Sequence, residues 1–328
     1  MNCPLFSGPR CVLQSAVSFL VAGVACAGPL DPLDYASLGA FEVSSGSYTI
    51  DTDLLTIVDD ASPGAALFTG VVDDQGGAAD SFGPGAAVTT VGANGIPHIA
   101  VFTFDSVSIQ GSATVSVTGR RALALLSHGD LVLDRTLDLS GSRPDGGPGG
   151  FYGGVAAQAG SGPGGGGATS TILVEAGPAG FGSDGIPDSG GGEAGLSYGD
   201  LSGVLQGGSG GGGAAAASYL AIGGGGGGAI ELGATGIVDL RSNAVIRSDG
   251  ETGANDTANV GIVFSGPGSG GGVRIRGREV LLDGSISAAG KLFRGSRSGA
   301  GRVFIEGLGI HVVGSPFDAD SLVANVAV

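Results

Sequence analysis

The chain has 328 residues, of which 70 are glycine, and its formal net charge is −16 with 13% charged residues, about half the usual share of charge in globular proteins. Hydrophobic residues make up 42%, enough to build a core, so a wholly disordered chain is excluded. The acidic charge argues against nucleic acids and anionic membrane surfaces as partners, because both are bound through Lys and Arg.

The first 27 residues are typical of an export signal. Arg10 precedes an apolar run that is short for a transmembrane helix and ends in Ala25-Cys26-Ala27, a signal-peptidase pattern. We therefore predict a signal peptide at 1–27, cleavage before Gly28 and no transmembrane span in the mature chain. An uncleaved anchor and acylation of Cys26 are the alternatives. All three cysteines fall in this segment, so the mature chain would have neither a disulfide nor a catalytic thiol.

Residues 28–119 form an acidic N-terminal β region in this interpretation. Short alternating stretches such as FEVSSGSYTI and HIAVFTF are separated by Gly, Asp and Ser, which is typical of strands. The region would be either a cap or the first coils of a longer array. No later stretch shows a convincing helical period, so we expect almost no helix.

Internal repeats organise residues 120–314. Residues 131–141 align with 280–290 at an offset of 149, and 272–277 align with 302–307 at an offset of 30. A unit of two short strands and a glycine-rich loop cannot bury its own apolar face, whereas stacked copies can. The repeats therefore predict an all-β solenoid, followed by a C-terminal tail at 315–328.

Glycine is concentrated between the predicted strands, where half of the 70 glycines lie between Gly141 and Gly228. In a solenoid these residues would form sharp corners and close backbone contacts, as in the run GGGGGG that leads into AIEL. The alternative is that residues 144–168 and 187–213 are disordered insertions.

The segments GGGGGGAIEL, GGVRIRGREVLLDGSISAAG and AGRVFIEG resemble the glycine-rich repeats of bacterial secreted or surface proteins with a right-handed parallel β-helix. The resemblance covers about residues 100–314. It implies an all-β fold, a right-handed parallel β-helix (β-solenoid) with Gly-rich loops, and a secreted or cell-surface location on a bacterium. Members of this group include adhesin-like proteins, others of undetermined role, and some that act on polysaccharides.

Three short motifs match the sequence patterns of known sites but lack the structural context that those sites need. GPGSGG at 266–271 is followed by another strand and not by the helix that a dinucleotide site needs. GGSGG at 207–211 would place Ser209 as a nucleophile in a glycine run that fixes side chains poorly. GFGSDG at 180–185 is a single copy of a calcium-binding repeat that works in tandem. No cofactor is predicted, with calcium as the alternative.

Two sets of side chains are candidates for a ligand surface. The carboxylates are interpreted first as turn residues that bond the following amides, with calcium binding or sugar chemistry as alternatives. The arginines alternate along one strand and would form either a solvated face or a site for an acidic glycan. The candidates are Asp130, Asp134, Asp138, Arg274, Arg276 and Arg278.

The functional prediction is a non-catalytic secreted or cell-surface protein of structural or adhesion type. The alternatives are a polysaccharide-active β-helix enzyme (pectate-lyase-like) and a glycan-binding module. Expected partners are an extracellular polysaccharide or a second copy of the chain. Self-association is suggested by charge, because residues 28–119 hold eleven acids and no Lys or Arg, whereas residues 274–302 hold seven basic side chains.

Overall fold

The computed structural model describes residues 28–75, 97–256, 262–318 and 322–327. Within these ranges the chain forms twenty-four short strands and one three-residue 3-10 helix, Pro32–Asp34. The expectation of an all-β chain with almost no helix is therefore confirmed for the described residues. The predicted signal peptide and its three cysteines lie outside the described residues.

Two larger sheets carry most of the parallel pairing. The first has six strands, all parallel. In spatial order they are β1 (Ala40–Val43), β7 (Ser106–Ile109), β10 (Leu131–Leu133), β15 (Ile237–Leu240), β18 (Glu279–Leu282) and β23 (Gly309–Val312). The second has seven strands and is parallel except for its last pair. Its order is β24 (Leu322–Ala327), β22 (Arg302–Glu306), β17 (Gly272–Arg276), β14 (Ala229–Ala234), β9 (Ala122–Ser127), β6 (Ile99–Phe104) and β5 (Val71–Asp73).

The remaining strands form four smaller sheets. A parallel three-stranded sheet contains β11 (Thr136–Asp138), β16 (Val245–Arg247) and β19 (Ser285–Ser287). A four-stranded sheet contains β4 (Ala66–Thr69), β3 (Thr56–Asp59), β2 (Ser47–Asp51) and β8 (Thr114–Thr118), with antiparallel pairs from β2 to β4. Two antiparallel hairpins join β12 (Ala214–Ala216) to β13 (Tyr219–Ala221) and β20 (Leu292–Phe293) to β21 (Ser296–Arg297).

The predicted right-handed parallel β-helix (β-solenoid) is wrong. The strands form several separate sheets of mixed parallel and antiparallel pairing, and only the six-stranded and three-stranded sheets are wholly parallel. The repeat at offset 30 did identify true neighbours, since Val273 pairs with Val303. The offset of 149 does not correspond to a regular series of coils. Only β15 separates β10 from β18, because most of the chain between them forms no strand.

Alternation along the strands builds the main core. Inward residues such as Val107, Val238 and Val280 are at most 2% exposed, and they pack against inward residues of the other sheets. At the β1 end, the ring of Phe41 stacks on Phe104 at 5.4 Å between centroids. Phe68 from β4 covers both rings edge-on.

The glycine-rich segments form a second layer, here called the glycine bundle and defined by residues 139–154, 207–213, 223–228, 248–256 and 262–271. Successive residues of the run 223–228 donate their N–H groups to three different segments in turn, with a period of three. The N–H acceptors are Gly154, Gly266, Ser142, Phe151, Ser269 and Leu139, in that order. A period of three with no internal hydrogen bond is the pattern of a polyproline II-type helix.

Glycine is required in the bundle because backbone packs directly on backbone. A Cβ atom on Gly226 would lie 1.9 Å from the carbonyl oxygen of Gly208, and one on Gly210 would lie 1.9 Å from that of Tyr152. None of the glycines at 223–228 has a positive φ. Their role is therefore close approach and not the corner geometry that the sequence suggested. Residues 144–168 and 187–213 are described throughout and are tied in by backbone hydrogen bonds.

Candidate functional site

A large concave surface lies along the outer face of β8, β11, β16 and β19, and we call it the polar groove. It consists of two cavities of about 530 and 560 Å³ that share Asp138. The first is lined mainly by Ser112–Val117, Arg135 and Thr136. The second is lined by Ser140, Val245, Arg247, Asp249, Ser285–Ser287 and Ser315–Asp318.

Strand alternation explains why polar side chains face this groove. Leu137, Ile246 and Ile286 are paired in register and at most 1% exposed, because they point into the core. Their neighbours must point the other way. The outward residues are Thr136, Asp138, Val245, Arg247, Ser285 and Ser287. Beside them β8 adds Thr114 and Ser116.

At the junction of the two cavities, Asp138 and Arg247 form a loose ion pair. Their Oδ2 and Nη1 atoms are 3.9 Å apart, and the side chains are 50% and 53% exposed. Asp138 also accepts a hydrogen bond from the Ser140 amide at 2.9 Å. Exposed pairs of this kind contribute about 0–1 kcal/mol. Little free energy is therefore lost if a ligand takes the place of either partner.

Asp249 forms the wall of the second cavity and is fully engaged. Its Oδ1 atom accepts hydrogen bonds from the Ser287 hydroxyl at 2.5 Å and the Ala289 amide at 2.8 Å. Its Oδ2 atom lies 3.0 Å from the Lys291 ammonium. Three donors hold this carboxylate in place. Asp249 therefore contributes to the shape of the groove.

The other two predicted aspartates bond neighbouring segments. Asp130 accepts a hydrogen bond from the Ile237 amide at 2.8 Å, and Asp134 accepts one from the Asn243 side-chain amide at 3.0 Å. Only Asp138 bonds an amide just after it in the chain. The structure therefore does not bring the three carboxylates together in one ligand set.

The three predicted arginines have different environments. Arg274 is fully buried and its Nη1 atom lies 2.9 Å from Oε2 of Glu231, which is also fully buried. It also donates to the carbonyl oxygens of Leu201 and Gly203. The face of β17 that carries it is covered by other segments and not by solvent, so the expected surface of three arginines is wrong.

Arg276 and Arg278 line a separate groove of about 380 Å³. Arg276 pairs with Glu306 at 3.4 Å, and Arg278 is exposed beyond the end of β17. The exposed side chains of Leu33 and Leu308 border the same groove. Two acidic side chains, Asp31 and Glu306, line the groove together with the two arginines, so it has no strong charge preference.

The remaining motifs have structural roles. Ser209 is buried, and its hydroxyl donates to the Tyr198 hydroxyl at 2.9 Å and accepts from the Gly164 amide. In the segment 180–185, hydrogen bonds from Ser197 lower the pKa of Asp184. In the described part of the chain, no three His, Cys, Asp or Glu side chains come together as metal ligands. No helix in these ranges is long and apolar enough to cross a membrane.

Comparison of the chain with protein-family models, curated proteins and solved structures gave no match. The resemblance to bacterial surface proteins therefore stays a prediction. Sequence reasoning selected Asp138 but missed Arg247 and Asp249. The sequence feature that could have indicated Arg247 is the alternation in VIR at 245–247. This alternation places Arg247 on the same face as Asp138 only if the pairing register of the two strands is known.

Proposed function

We propose that the protein is an exported, non-catalytic scaffold of adhesion type that binds extracellular polysaccharide through the polar groove. The loose Asp138–Arg247 pair carries this proposal, because it places exchangeable charges where two cavities meet. A uronate carboxylate would replace Asp138 as the partner of Arg247. Guanidinium groups suit this exchange because they bind carboxylates through two parallel hydrogen bonds.

The hydroxyl side chains of the groove support the same ligand class. The paired strands β11, β16 and β19 lie about 4.8 Å apart, so a linear ligand that crosses them meets a polar side chain at each step, and β8 adds further polar side chains beside β11. Such an array suits a polymer with many hydroxyl groups. Affinity would then come from several modest contacts in a row, as is usual for multivalent binding.

Two carboxylates of the groove, those of Asp138 and Asp249, favour binding over chemistry. Asp249 already interacts with three donors, and Asp138 is half exposed. A general base needs a carboxylate that is held in place and free to accept a proton from the substrate. The lyase alternative remains a distinct outcome of the experiment below.

The first test replaces Arg247 with Gln and measures binding of polygalacturonate by calorimetry. We expect about tenfold weaker binding, since a charge-assisted hydrogen bond to the ligand is lost. Arg241→Gln is the matched control. Arg241 is a similarly exposed arginine paired with Asp239 at 3.0 Å, and it lies outside the residues that line the groove. Equal binding by both variants contradicts the proposed site. Formation of unsaturated sugar products in the presence of calcium would show an enzyme instead.

The export step has a separate test. We expect amino-terminal sequencing of the protein from its native cell fraction to begin at Gly28. The segment that follows the predicted cleavage point is bound to the buried ion pair. Arg274 donates to the Gly28 carbonyl at 3.3 Å, and Glu231 accepts from the Leu30 amide at 2.9 Å. A cytoplasmic protein that retains Met1 would contradict export.

A further inference from the structure

The Glu175 carboxyl group is buried with little compensation from hydrogen bonds. The residue is 3% exposed, and within the described residues neither carboxylate oxygen has a hydrogen bond of ordinary geometry, although the Ser296 hydroxyl lies close enough to lower its pKa. A buried carboxylate is unfavourable unless it is paired or protonated. The polar groove does not include this residue, so its chemistry is separate from the proposed polysaccharide site.

The β20–β21 hairpin and one loop surround this carboxyl group. The hairpin contributes the buried Ser296 and, in its turn, Arg294. The loop contributes Asp188, whose amide donates to the Ser296 hydroxyl at 2.9 Å. Asp188 and Arg294 are the two charged groups that act on the Glu175 carboxyl, and they act in opposite directions.

Arg294 does not bond the nearby carboxyl group but lies on an aromatic ring. Its guanidinium carbon is 3.7 Å from the centroid of the Phe264 ring, a cation–π contact. Its backbone has a φ of 51°, which is unfavourable for a side chain other than glycine. Phe264 and Glu175 are joined by a parallel bridge, so the ring and the carboxyl group belong to adjacent backbone positions.

We propose that the β20–β21 hairpin is a proton-operated switch in which Arg294 lies on Phe264 while Glu175 is protonated and moves to Glu175 when that carboxyl ionises. Both alternative partners of Arg294 are present at this one place. Arg294 has a positive φ in this turn, and strained backbone conformations are frequent in switch segments.

The electrostatics place the transition near neutral pH. Burial, with a further contribution from Asp188, raises the pKa of Glu175 to about 7, while Ser296 and Arg294 oppose the rise. Because the pKa is higher in the folded protein, the protonated form is the stable one at low pH. The advantage of the protonated form is lost as the pH rises from about 4.5, the ordinary pKa of a glutamate, towards 7. Above that range the ionised carboxyl needs the guanidinium as its partner.

The test follows the Arg294 side-chain Hδ resonances by NMR from about pH 5 to about pH 9. We expect a ring-current shift from Phe264 at low pH that disappears with a midpoint near 7. Glu175→Gln, a neutral variant of the same shape, should keep the shift at every pH. Phe264→Leu should lack it at every pH.

Two results would overturn the switch. One is an Arg294 resonance that stays constant across the pH range in the natural protein. The other is the same pH-dependent change in Glu175→Gln, which would assign the titration to a different group. Polysaccharide binding is unaffected by either result, so the two proposals can fail independently.

Discussion

Replacing Arg274 with Met is expected to lower the free energy of unfolding by about 3–5 kcal/mol, because it leaves the Glu231 carboxylate buried without its cation. Both side chains are fully buried, and their charged atoms are 2.9 Å apart. The variant also leaves the carbonyl oxygens of Leu201 and Gly203 without their arginine donors. Urea unfolding measures the loss directly.

Two companion variants separate the ion pair from general damage. The double variant Glu231→Leu with Arg274→Met should regain much of the stability, since replacing both buried charges by apolar groups is often close to neutral. Arg276→Met, which removes a partly exposed arginine two residues away, should change stability by less than about 1 kcal/mol. If Arg274→Met cost no more than Arg276→Met, the buried pair would not be a main stabilising contact.

Gly226→Ala is expected to destabilise the protein by about 3 kcal/mol, because the new methyl group has no space. The Cβ atom would lie 1.9 Å from the Gly208 carbonyl oxygen and 2.3 Å from its carbon. Gly208 cannot move away freely, since its own amide donates to Gly227 at 2.8 Å. Thermal and urea unfolding of the purified variant provide the measurement.

Gly64→Ala is the matched control, because nothing lies within 4 Å of the Cβ position at Gly64 and its φ is not positive. It should be neutral or slightly stabilising, by up to about 1 kcal/mol, because alanine restricts the unfolded chain. In a flexible loop Gly226→Ala would behave in the same way. The sign of its effect therefore distinguishes a packed glycine bundle from a loop, and a stabilising result would contradict the packing described above.

Strand content and local register could be predicted from the sequence because side-chain alternation encodes them. The repeat that matched Val273 with Val303 found a true cross-strand pair. The glycine bundle could not be predicted in this way. Its hydrogen-bond partners are far apart in the chain, as with Gly226 and Phe151, and glycine has no side chain that could reveal which segment is the neighbour.

The candidate site was predictable only in part for a related reason. Asp138 was visible as a polar residue in a strand, but its partner Arg247 comes from a strand of three residues more than a hundred positions later. The burial of Arg274 was also hidden. The segments that cover it, near Gly28 and Leu201, have no sequence relationship to β17.

The period of three in the glycine bundle has a mechanical consequence. A β-sheet is stiff along its hydrogen bonds, but its faces are joined only by side-chain contacts, so it separates more easily in that direction. In the bundle, residues 223–228 donate hydrogen bonds to three different segments. Sideways force from several directions must therefore break hydrogen bonds, and the glycine bundle should resist shear and stretching without a preferred plane of failure.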